Sequence, residues 1–483
     1  MSVARRVAKN TTALILSNII AYVFTFLTTV YSARYLGVEG WGIISIALSI
    51  TGIFGVLTDL GLSSLTVREV ARDKSLADKY FANTTAIKIV LGIITFGVIV
   101  IVSYLAGYSQ QIINVICVMA ISTILGSFTG VFYSILQAYE KMEYQSLATI
   151  ISNVIMLALT LSVIYLGLSV VAFASVYVIV GIFGFLYIFV IYVKKISLPY
   201  LEIDINFCKS AFKEALPFAV TGIFVTIYFW LDSFLLSMMV GNEAVGIYNA
   251  AYRLIYVFLF IPNLFITALF PVMSRHFESA KELLKLEYQK SFKYLFVVAI
   301  FILIYGFVFA DEIILLIYGE KFVLSIIALQ TLIWAIPIIF LNALFTNMMN
   351  AMNKQRLVTV VVGSNALFNV VLTLILIPNF SFVGASIATV LTEGLGFSLL
   401  FYYISRHYFK VSLNYYILKP ILSGIILGIF VYIIKTQLNW ILAGIIGLFI
   451  YLIVIYVMKI INNEDINLLK EILPFEFNKQ KDD

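Results

Sequence analysis

The residue with the clearest chemistry in this sequence is Arg253, a permanent cation in the apolar stretch NAAYRLIYVFLF. A guanidinium group binds phosphate or carboxylate through paired, charge-assisted hydrogen bonds, so an arginine in such surroundings suits an anionic ligand. Charges within a membrane face the protein interior or a water-filled cavity, and each is therefore a functional candidate. Two roles stay open for Arg253: a cation on the wall of a substrate cavity, or one half of an internal ion pair.

Three nearby residues bear on that choice. Asp232 lies before the turn at Gly241 and Arg253 lies after it, at a similar number of residues from the turn. Two antiparallel helices joined by this turn would hold both residues at a similar depth in the membrane. We predict Asp232 as the counter-ion of Arg253. Asn249 lies four residues before Arg253 and shares its helix face. Pro262 should kink the same helix and free backbone carbonyl groups toward a cavity.

Four other charged residues lie in or near apolar segments. Glu393 stands among threonines and a glycine in ATVLTEG, which suits either a cavity or a polar packing face. Asp59 lies near the end of its segment, where a helix-end role and a transport role are both open. Lys88 is about one turn inside its segment and is expected to extend its ammonium group to the membrane surface. Arg34 is expected to anchor a helix at the interface, with the cavity mouth as the alternative.

These residues belong to a chain that is 62% hydrophobic and 12% charged, whereas soluble domains carry about 25% charged residues. Apolar runs of roughly 20 residues, long enough to cross a bilayer, recur from end to end. The sequence therefore predicts an all-α polytopic membrane protein with about fourteen transmembrane helices. The predicted spans are 11–34, 41–65, 84–107, 112–138, 146–167, 170–193, 215–240, 245–271, 292–317, 325–350, 357–378, 382–404, 417–436 and 440–459.

Lysine and arginine are distributed asymmetrically along the connections between these spans. They concentrate at the N-terminus, in alternate connections and at the C-terminus, while the remaining connections are short and nearly free of them. The positive-inside rule then predicts a multi-pass protein of the plasma membrane with both termini cytoplasmic. The net charge of +6 follows from this topology, and we predict no nucleic-acid partner. The two cysteines and two histidines show no metal-ligand spacing, so we predict no metal or cofactor.

The stretch before Arg253 has an echo earlier in the chain. LGVEGWGIISIA, which contains Gly37, matches VGNEAVGIYNAA, which contains Gly241, 204 residues later, and LQAYEK is echoed by MNAMNK. The offset spans six helices, so we predict two parallel six-helix repeats with a substrate bound between them. Ser49 stands where the second repeat has Arg253. The predicted divisions are 1–195 for the first lobe, 196–214 for a cytoplasmic linker, 215–410 for the second lobe, and 411–483 for two further helices and a cytoplasmic tail.

Five segments together resemble the polysaccharide flippases of the multidrug/oligosaccharidyl-lipid/polysaccharide exporter superfamily. They are ARYLGVEGWG, DLGLSSLTVREVARD, LDSFLLSMMVGNEAVGIYNAAYRL, LFPVMSR and VGASIATVLTE, in this order over most of the chain except the last two spans. The resemblance implies a V-shaped central cavity between two lobes, with two additional C-terminal helices. It also implies that a polyprenyl-(pyro)phosphate-linked oligosaccharide moves from the cytoplasmic to the outer leaflet by alternating access, for surface polysaccharide or glycoprotein biosynthesis.

In related peptidoglycan-precursor flippases, the tract that matches AYRL carries an arginine that lines the cavity. The resemblance therefore implies that Arg253 binds the substrate's phosphate. Those relatives also have basic residues in the first span, whereas residues 11–33 here have none, which favours a different lipid-linked glycan. Tyr248, Tyr252, Asn249 and Asn263 are expected to contact its sugars.

The sequence also bears on the energy source and the partners. No phosphate-binding loop of the G-x-x-x-x-G-K-[ST] type occurs in it. We therefore expect transport to be driven by an ion gradient, with a coupling ion of unidentified kind, by the membrane potential, or by downstream consumption. The expected partners are the bilayer, a lipid-linked oligosaccharide, and glycosyltransferases or a polymerase of the same pathway.

Two other functions compete with this one. A cation-coupled multidrug exporter of the same superfamily would usually have a carboxylate in its first helix, which is uncharged here, and Arg253 suits an anionic substrate better than a cationic drug. A membrane glycosyltransferase or polymerase would need a positioned base and room on the outer face. The acidic residues predicted outside lie in very short connections, and the pair Asp311-Glu312 is interpreted as a helix-end feature. We therefore expect a transporter and not an enzyme.

Overall fold

The computed structural model describes residues 3–196, 198, 202–408, 414–461 and 465. The regular structure of these residues is helical, as the sequence predicts, and no strand occurs among them. The helices are α1 (Val3–Gly55), α2 (Leu62–Arg72), α3 (Ala77–Leu105), α4 (Gln110–Ala138), α5 (Met142–Tyr165), α6 (Val170–Lys195), α7 (Ile205–Met239), α8 (Asn242–Phe258), α9 (Phe260–Ser279), α10 (Lys281–Val308), α11 (Ala310–Ile317), α12 (Ser325–Leu332), α13 (Ala335–Ala351), α14 (Gln355–His407), α15 (Lys419–Lys435) and α16 (Trp440–Val457).

Within the described ranges, eleven helices are long and apolar enough to cross a membrane, and the pair α12 and α13, bent by 43°, is a twelfth candidate. Two of these helices, α1 and α14, are 53 residues long, and each contains one non-helical residue. In α1 this residue is Gly37 (φ 69°, ψ −176°), and in α14 it is Ser381 (φ 51°, ψ −133°). Both fall in connections that the sequence predicts between two spans, so each long helix holds two predicted spans. The total of fourteen stays a prediction.

Two further predicted spans are interrupted. α8 ends at Phe258 because Pro262 has no N–H to donate to the Phe258 carbonyl group, and this produces the expected break before α9. The predicted span 41–65 is broken after α1 by a 3-10 turn, Val56–Thr58, and by Leu60, whose φ is 41°. A non-glycine residue with positive φ does not continue an α-helix. The single helix predicted for 41–65 is therefore two helices.

Helices α1 to α6 pack mainly on one another, with α4 against α6 and α1 against α5. In the second group, α7 and α13 both pack on α14, and the two groups meet where α1 contacts α7 and α8. This grouping follows the two predicted lobes, whose boundaries stay predictions. One detail differs from the prediction: α7 begins at Ile205, so part of the segment 196–214 is helical. Asp204 caps that helix, because its side chain accepts hydrogen bonds from the N–H groups of Asn206 and Phe207.

The last two helices pack on each other, and α15 also packs on α10 of the second lobe. At the end of α15, the Lys435 ammonium group lies 2.7 Å from Asp311 Oδ1 and 2.8 Å from Glu312 Oε2, and it donates a hydrogen bond to the Val308 carbonyl oxygen. Asp311 and Glu312 stand in the first turn of α11, where the helix dipole favours negative charge. The pair is thus a helix-end feature, and it fixes α15 to the second lobe.

The two echoed turns have the same kind of backbone conformation and meet each other. Gly241 (φ 123°, ψ −178°), like Gly37, combines a positive φ with an extended ψ, which glycine adopts most readily. Gly42 and Gly246 then approach so closely that a Cβ atom on either would overlap a carbonyl oxygen of the other lobe. Each such Cβ would lie 3.2 Å from the other glycine's nitrogen. We call the region around these four glycines the turn end; the backbones of the two lobes are in contact there.

Polar contacts also hold the turn end together. Arg34 on α1 donates from Nε to the Ile317 carbonyl oxygen (2.7 Å) and from Nη2 to the Leu316 carbonyl oxygen, at the C-terminal end of α11. Asn242 Nδ2 donates to Glu39 Oε1 (3.2 Å). A cation is favourable beside carbonyl groups that a helix end leaves free. Arg34, expected at the membrane interface or the cavity mouth, is instead a link between the lobes.

Replacing Gly246 with alanine should open the turn end, because the added methyl group has no room beside the Val38 carbonyl group. Overpacking of this kind costs about 1–3 kcal/mol, enough to change a closed-to-open ratio about tenfold. Spin labels at Ser109→Cys and Gln437→Cys, which are exposed positions between α3 and α4 and between α15 and α16, report the distance between the lobes when both native cysteines are replaced by alanine. We expect double electron–electron resonance to show a longer distance in the Gly246→Ala protein.

The matched control for this experiment is Gly126→Ala, since a Cβ atom on Gly126 would have no atom within 4 Å. Its distance distribution should equal that of the parent protein. If Gly246→Ala also leaves the distribution unchanged, the glycine contact is not what keeps the turn end closed.

Candidate functional site

Two adjoining cavities of about 410 Å³ each lie where α1, α5 and α6 face α7 and α8. They share four wall residues, Thr25, Thr29, Asn153 and Arg253. The first cavity is also lined by Tyr22, Thr149 and Tyr256, and the second by Thr28, Trp41, Tyr177 and Trp230. A cavity between two repeats is the usual place for the substrate of a transporter built in this way.

Arg253 is the charged residue that the described walls of both cavities have in common. It is half-buried, and its guanidinium carbon lies 5.6 Å from the centre of the Trp230 ring, within the range of a cation–π contact. Its Nε atom is shielded from solvent and has no hydrogen-bond partner. Arg253 forms no ion pair with any residue that the structure describes. The guanidinium group is therefore available to an anion in the cavities.

The predicted ion pair between Arg253 and Asp232 is wrong. The buried carboxylate of Asp232 accepts hydrogen bonds from the hydroxyl groups of Tyr248 (3.1 Å), Thr373 (3.0 Å) and Thr389 (2.8 Å). Tyr248 precedes Arg253 by five residues, which places the two about 140° apart around α8 at 100° per residue. Asp232 therefore packs against a different face of α8, inside the second lobe, where hydroxyl donors stabilise its charge.

Asn249, Tyr252 and Asn263 are predicted substrate contacts that the structure places away from the walls of both cavities. Asn249 is buried and donates from Nδ2 to Ser233 Oγ (2.9 Å) on α7. Tyr252 stacks on Tyr248, with ring centres 5.6 Å apart. Asn263 is exposed on α9, beyond the helix break. The sequence identified the helix that carries the cation, but not which of its faces meets the cavities.

Glu393 faces the interior of the second lobe. Its carboxylate accepts one hydrogen bond from Asn342 Nδ2 (2.7 Å) and one from the Tyr228 hydroxyl group. It is not among the described residues that line the two cavities. Of its two predicted settings, the polar packing face is the one observed. With Asp232, it gives the second lobe two carboxylates that are held by neutral donors.

Lys88 and Asp59 form a charge pair inside the first lobe, with Lys88 Nζ 2.7 Å from Asp59 Oδ1. Lys88 is 1% exposed and also donates to Ser63 Oγ and the Ser127 carbonyl oxygen, both at 3.1 Å. The expectation that Lys88 extends to the membrane surface is therefore wrong, since it points inward to a carboxylate. Asp59 accepts a hydrogen bond from the Ser63 N–H (3.2 Å) near the start of α2, which is the helix-end role.

The first-lobe wall of the cavities consists of uncharged residues that the sequence reasoning missed. Tyr22, Thr25 and Thr29 recur at a spacing that places them on one face of α1, and this periodicity was the available signal. Thr25 Oγ1 donates to Asn153 Oδ1 on α5 (3.0 Å). Asn153 belongs to a Ser-Asn pair that recurs 212 residues later in the second repeat. Together these residues add neutral donors and acceptors opposite Arg253.

The sequence matches two protein-family models. One, described as polysaccharide biosynthesis protein, matches residues 7–277, and the other, MatE, matches residues 217–375. An uncharacterized membrane protein of Methanocaldococcus jannaschii is 23% identical over 96% of this chain and 97% of its own length. The probable low-salt glycan biosynthesis flippase Agl15 of Haloferax volcanii is 22% identical over 82% of this chain and 83% of its own length.

The fold is similar to that of the lipid II flippase MurJ in its inward closed conformation. The TM-score is 0.76 at 16% sequence identity, and the match covers 95% of this chain and 99% of that one. At this identity the likeness concerns the fold. It confirms the predicted class, a polytopic helical membrane protein.

Because Asp232 and Arg253 do not touch, their substitutions should have additive effects on stability. Asp232→Ala removes the acceptor that Tyr248, Thr373 and Thr389 share and should lower the Tm, whereas Arg253→Ala removes an unpartnered polar atom and should leave the Tm nearly unchanged. The free-energy effects should add to within about 0.5 kcal/mol in the double variant. Thermal unfolding of the four purified proteins in detergent measures this. A double variant whose stability differs from the sum of the two single effects by more than about 0.5 kcal/mol would contradict the observed separation of the two residues.

Proposed function

Because the chain belongs to the polysaccharide biosynthesis protein family, within the multidrug/oligosaccharidyl-lipid/polysaccharide exporter superfamily, we propose that it is a flippase for a lipid-linked oligosaccharide. It moves a polyprenyl-(pyro)phosphate-linked oligosaccharide from the cytoplasmic to the outer leaflet by alternating access. The observation that carries this proposal is Arg253, a cation that forms no ion pair with a described residue and lies on the wall of a cavity between the lobes. The name of the relative Agl15, a probable glycan biosynthesis flippase, supports the same substrate class.

The chemistry of the cavities fits the head group of such a substrate. The guanidinium group of Arg253 can bind a phosphate oxygen pair through two parallel hydrogen bonds. Thr25 and Asn153 supply neutral polar groups across the cavity, and aromatic and aliphatic side chains form much of the remaining wall. The polyprenyl chain needs no polar contact and can stay in the bilayer while the head group occupies the cavity.

The distribution of basic residues supports an orientation for this transport. The N-terminus, the facing ends of α6 and α7 (Lys194, Lys195, Lys209 and Lys213), and the C-terminus contain many lysines and arginines. This places them in the cytoplasm and the turn end on the outer side of the plasma membrane. The backbone contact at Gly42 and Gly246 then closes the cavities toward the outside. Release of the substrate requires this contact to separate. In alternating access, the turn end therefore opens and closes on the outer side of the cavities that contain Arg253.

The remaining features of the proposal concern partners and chemistry. No bond is made or broken in the transport step, so the protein acts as a transporter and not as an enzyme. Glycosyltransferases on the cytoplasmic side supply the lipid-linked glycan, and a polymerase or transferase on the outer side consumes it. Consumption of the lipid-linked glycan on the outer side lowers its concentration there, and this favours outward movement in addition to any ion gradient or membrane potential.

The match of residues 217–375 to the MatE model favours a second candidate, a multidrug exporter. An exporter of cationic drugs needs a carboxylate on its cavity wall. The charged residue on the described walls is an arginine, while Asp232 and Glu393 accept hydrogen bonds inside the second lobe. The flippase is therefore the function that the geometry supports better.

Arg253→Ala should reduce export of the surface glycan at least about tenfold, because a lost charge-assisted hydrogen bond costs about 1.5–3 kcal/mol. Arg253→Lys should retain part of the activity, since it keeps the charge but loses the two-pronged geometry. Surface glycan is measured by lectin staining of cells that depend on the variant. Mass spectrometry of extracted lipids should show the lipid-linked glycan accumulating in the Arg253→Ala cells.

The control is Arg72→Ala, which removes an exposed arginine that pairs with Glu69 on α2. It should export normally at the same expression level. Normal export by Arg253→Ala would remove the basis for the cavity-cation proposal.

We further propose that the coupling ion binds at Asp232. Its carboxylate is buried with the hydroxyl groups of Thr373, Thr389 and Tyr248, and the amide oxygen of nearby Asn369 is buried without a hydrogen-bond partner. Oxygen atoms of this kind suit a small, hard cation such as Na⁺, or a proton on the carboxylate. This placement would couple the ion to the packing of α7, α8 and α14.

Asp232→Asn should abolish the response of the purified protein to the coupling ion. If the ion is Na⁺, a Na⁺ concentration of 100 times its dissociation constant stabilises the folded protein by about 2.7 kcal/mol. K⁺ at the same concentration should not stabilise it. The Tm in NaCl and in KCl, at two pH values, measures this for the parent protein, Asp232→Asn and Glu393→Gln. Loss of the response in Glu393→Gln but not in Asp232→Asn would assign the ion to the other carboxylate.

A further inference from the structure

Two residues that line the second cavity each have a buried polar atom whose hydrogen bond is not made within the described structure. Trp41 is 2% exposed and Thr28 is 7% exposed, and both side chains line this cavity. The indole Nε1 of Trp41 and the Oγ1 of Thr28 are shielded from solvent and have no hydrogen-bond partner in the part of the chain that the structure describes. Thr28 lies outside the quoted motifs, and Trp41 lies in ARYLGVEGWG but was given no role there. Neither residue is part of the phosphate site proposed above.

Buried polar atoms without partners are rare, because each one loses its hydrogen bonds to water and gains none in return. Here two of them, together with Nε of Arg253, belong to residues that line one cavity of about 410 Å³. An indole N–H can only donate, and so can a guanidinium N–H. The wall is therefore rich in donors and suits a ligand rich in oxygen acceptors.

The same cavity has a second feature that identifies the ligand. The indole ring of Trp230 also lines it and packs directly on Gly52 of α1, where a Cβ atom would overlap the ring. Because Gly52 has no side chain, the large ring of Trp230 can pack against α1 at the boundary between the lobes. Trp41, Trp230 and Tyr177 give the cavity apolar ring surfaces alongside its donors. A pyranose ring has the matching chemistry, since it presents C–H groups on its faces and oxygen atoms around its edge.

We propose that the Trp41 end of the second cavity is a sugar subsite, which binds the part of the glycan next to the phosphate. Both polar atoms are shielded while the turn end is closed, so the N–H of Trp41 and the hydroxyl group of Thr28 bond to sugar oxygens once the lobes separate and expose them. The indole of Trp230 packs on the sugar ring, and Arg253 binds the phosphate. This inference rests on the proposed function. It replaces the expected sugar contacts Tyr248, Asn249, Tyr252 and Asn263 with Thr28 and Trp41 on α1 and Trp230 on α7. Trp41 and Thr28 thereby become specificity determinants.

The test compares two probes on purified protein in lipid nanodiscs. One is the lipid-linked oligosaccharide fraction extracted from the producing cells, and the other is undecaprenyl phosphate, an anion of the same kind without a sugar. Thr28→Val removes the hydroxyl group and keeps the side-chain shape, and Trp41→Phe removes the N–H together with part of the ring. Each should weaken binding of the oligosaccharide fraction about five- to tenfold, and should change binding of undecaprenyl phosphate less than about twofold. Arg253→Ala should weaken binding of both.

A thermal measurement separates this role from a structural one. Because Thr28→Val removes an unsatisfied buried polar atom at nearly constant volume, this variant without ligand should be at least as stable as the parent protein. Trp41→Phe also removes ring volume from a buried site and should lower the Tm, so Thr28→Val is the decisive comparison. The matched control is Trp334→Phe, which changes a tryptophan that is 52% exposed and should bind both probes normally.

The possible failures are distinguishable. If Trp41→Phe and Thr28→Val bind the oligosaccharide fraction as the parent protein does, or lose both probes equally, the sugar subsite is wrong and the flippase proposal stands. If the parent protein binds neither probe, the proposed function itself is overturned, and the subsite with it.

Discussion

Ionised groups are costly in hydrocarbon, and this constraint determines where the charges of the protein lie. Lys88 and Asp59 compensate each other inside the first lobe, and Asp232 is held by hydroxyl donors inside the second. Arg253 differs from these residues because it lies at the boundary between the lobes and forms no ion pair with the described residues. The ring of Trp230 offsets only part of its charge. Among the described residues, no carboxylate therefore neutralises the charge of Arg253.

The two repeats use the same turn but give it different surroundings. Gly37 and Gly241 share a backbone conformation, and the glycines five residues after each of them form the contact between the lobes. At the position equivalent to Arg253, the first repeat has Ser49, which is buried and donates to the Ile46 carbonyl oxygen of its own helix (2.8 Å). The glycines that both repeats share thus form the contact at the turn end, while Arg253, which only the second repeat has at this position, supplies the charge. A site with a cation on one side and neutral polar groups on the other can orient a ligand that is charged at one end only.

The sequence predicted the features that depend on local composition. Long apolar runs identified the helical membrane fold, and the cost of an intramembrane charge selected Arg253 without knowledge of its neighbours. The partners of that residue depended on helix rotation and could not be predicted in the same way. Asp232 lies at the expected depth along α7 but contacts a face of α8 about 140° from Arg253. Helix rotation also explains why Asn249 is not a cavity residue. Its spacing from Arg253 suggested a shared face, but its amide group bonds to Ser233 on α7.

The uncharged wall of the cavities was harder to recognise for a related reason. Trp41, Thr28 and Trp230 are ordinary residues of apolar spans, and their composition does not distinguish a cavity wall from a packed interface. Only the three-dimensional arrangement shows that two of them have polar atoms without partners. A comparable limit applies to Lys88, because a lysine near a helix end can reach water or an internal carboxylate, and the choice depends on whether Asp59 lies across from it.

The position of Trp41 connects recognition with the conformational change. Trp41 lines the second cavity, and the next residue, Gly42, makes the backbone contact with Gly246 that closes the turn end. Separation of the two glycines must move the segment of α1 that carries Trp41, because adjacent residues of a helix move together. A ligand bound to Trp41 and Arg253 bridges the two lobes next to this contact, so its binding energy acts on the same boundary that must open. The closed state can therefore differ from the open state in affinity for the glycan, which is the condition under which a ligand shifts a conformational equilibrium.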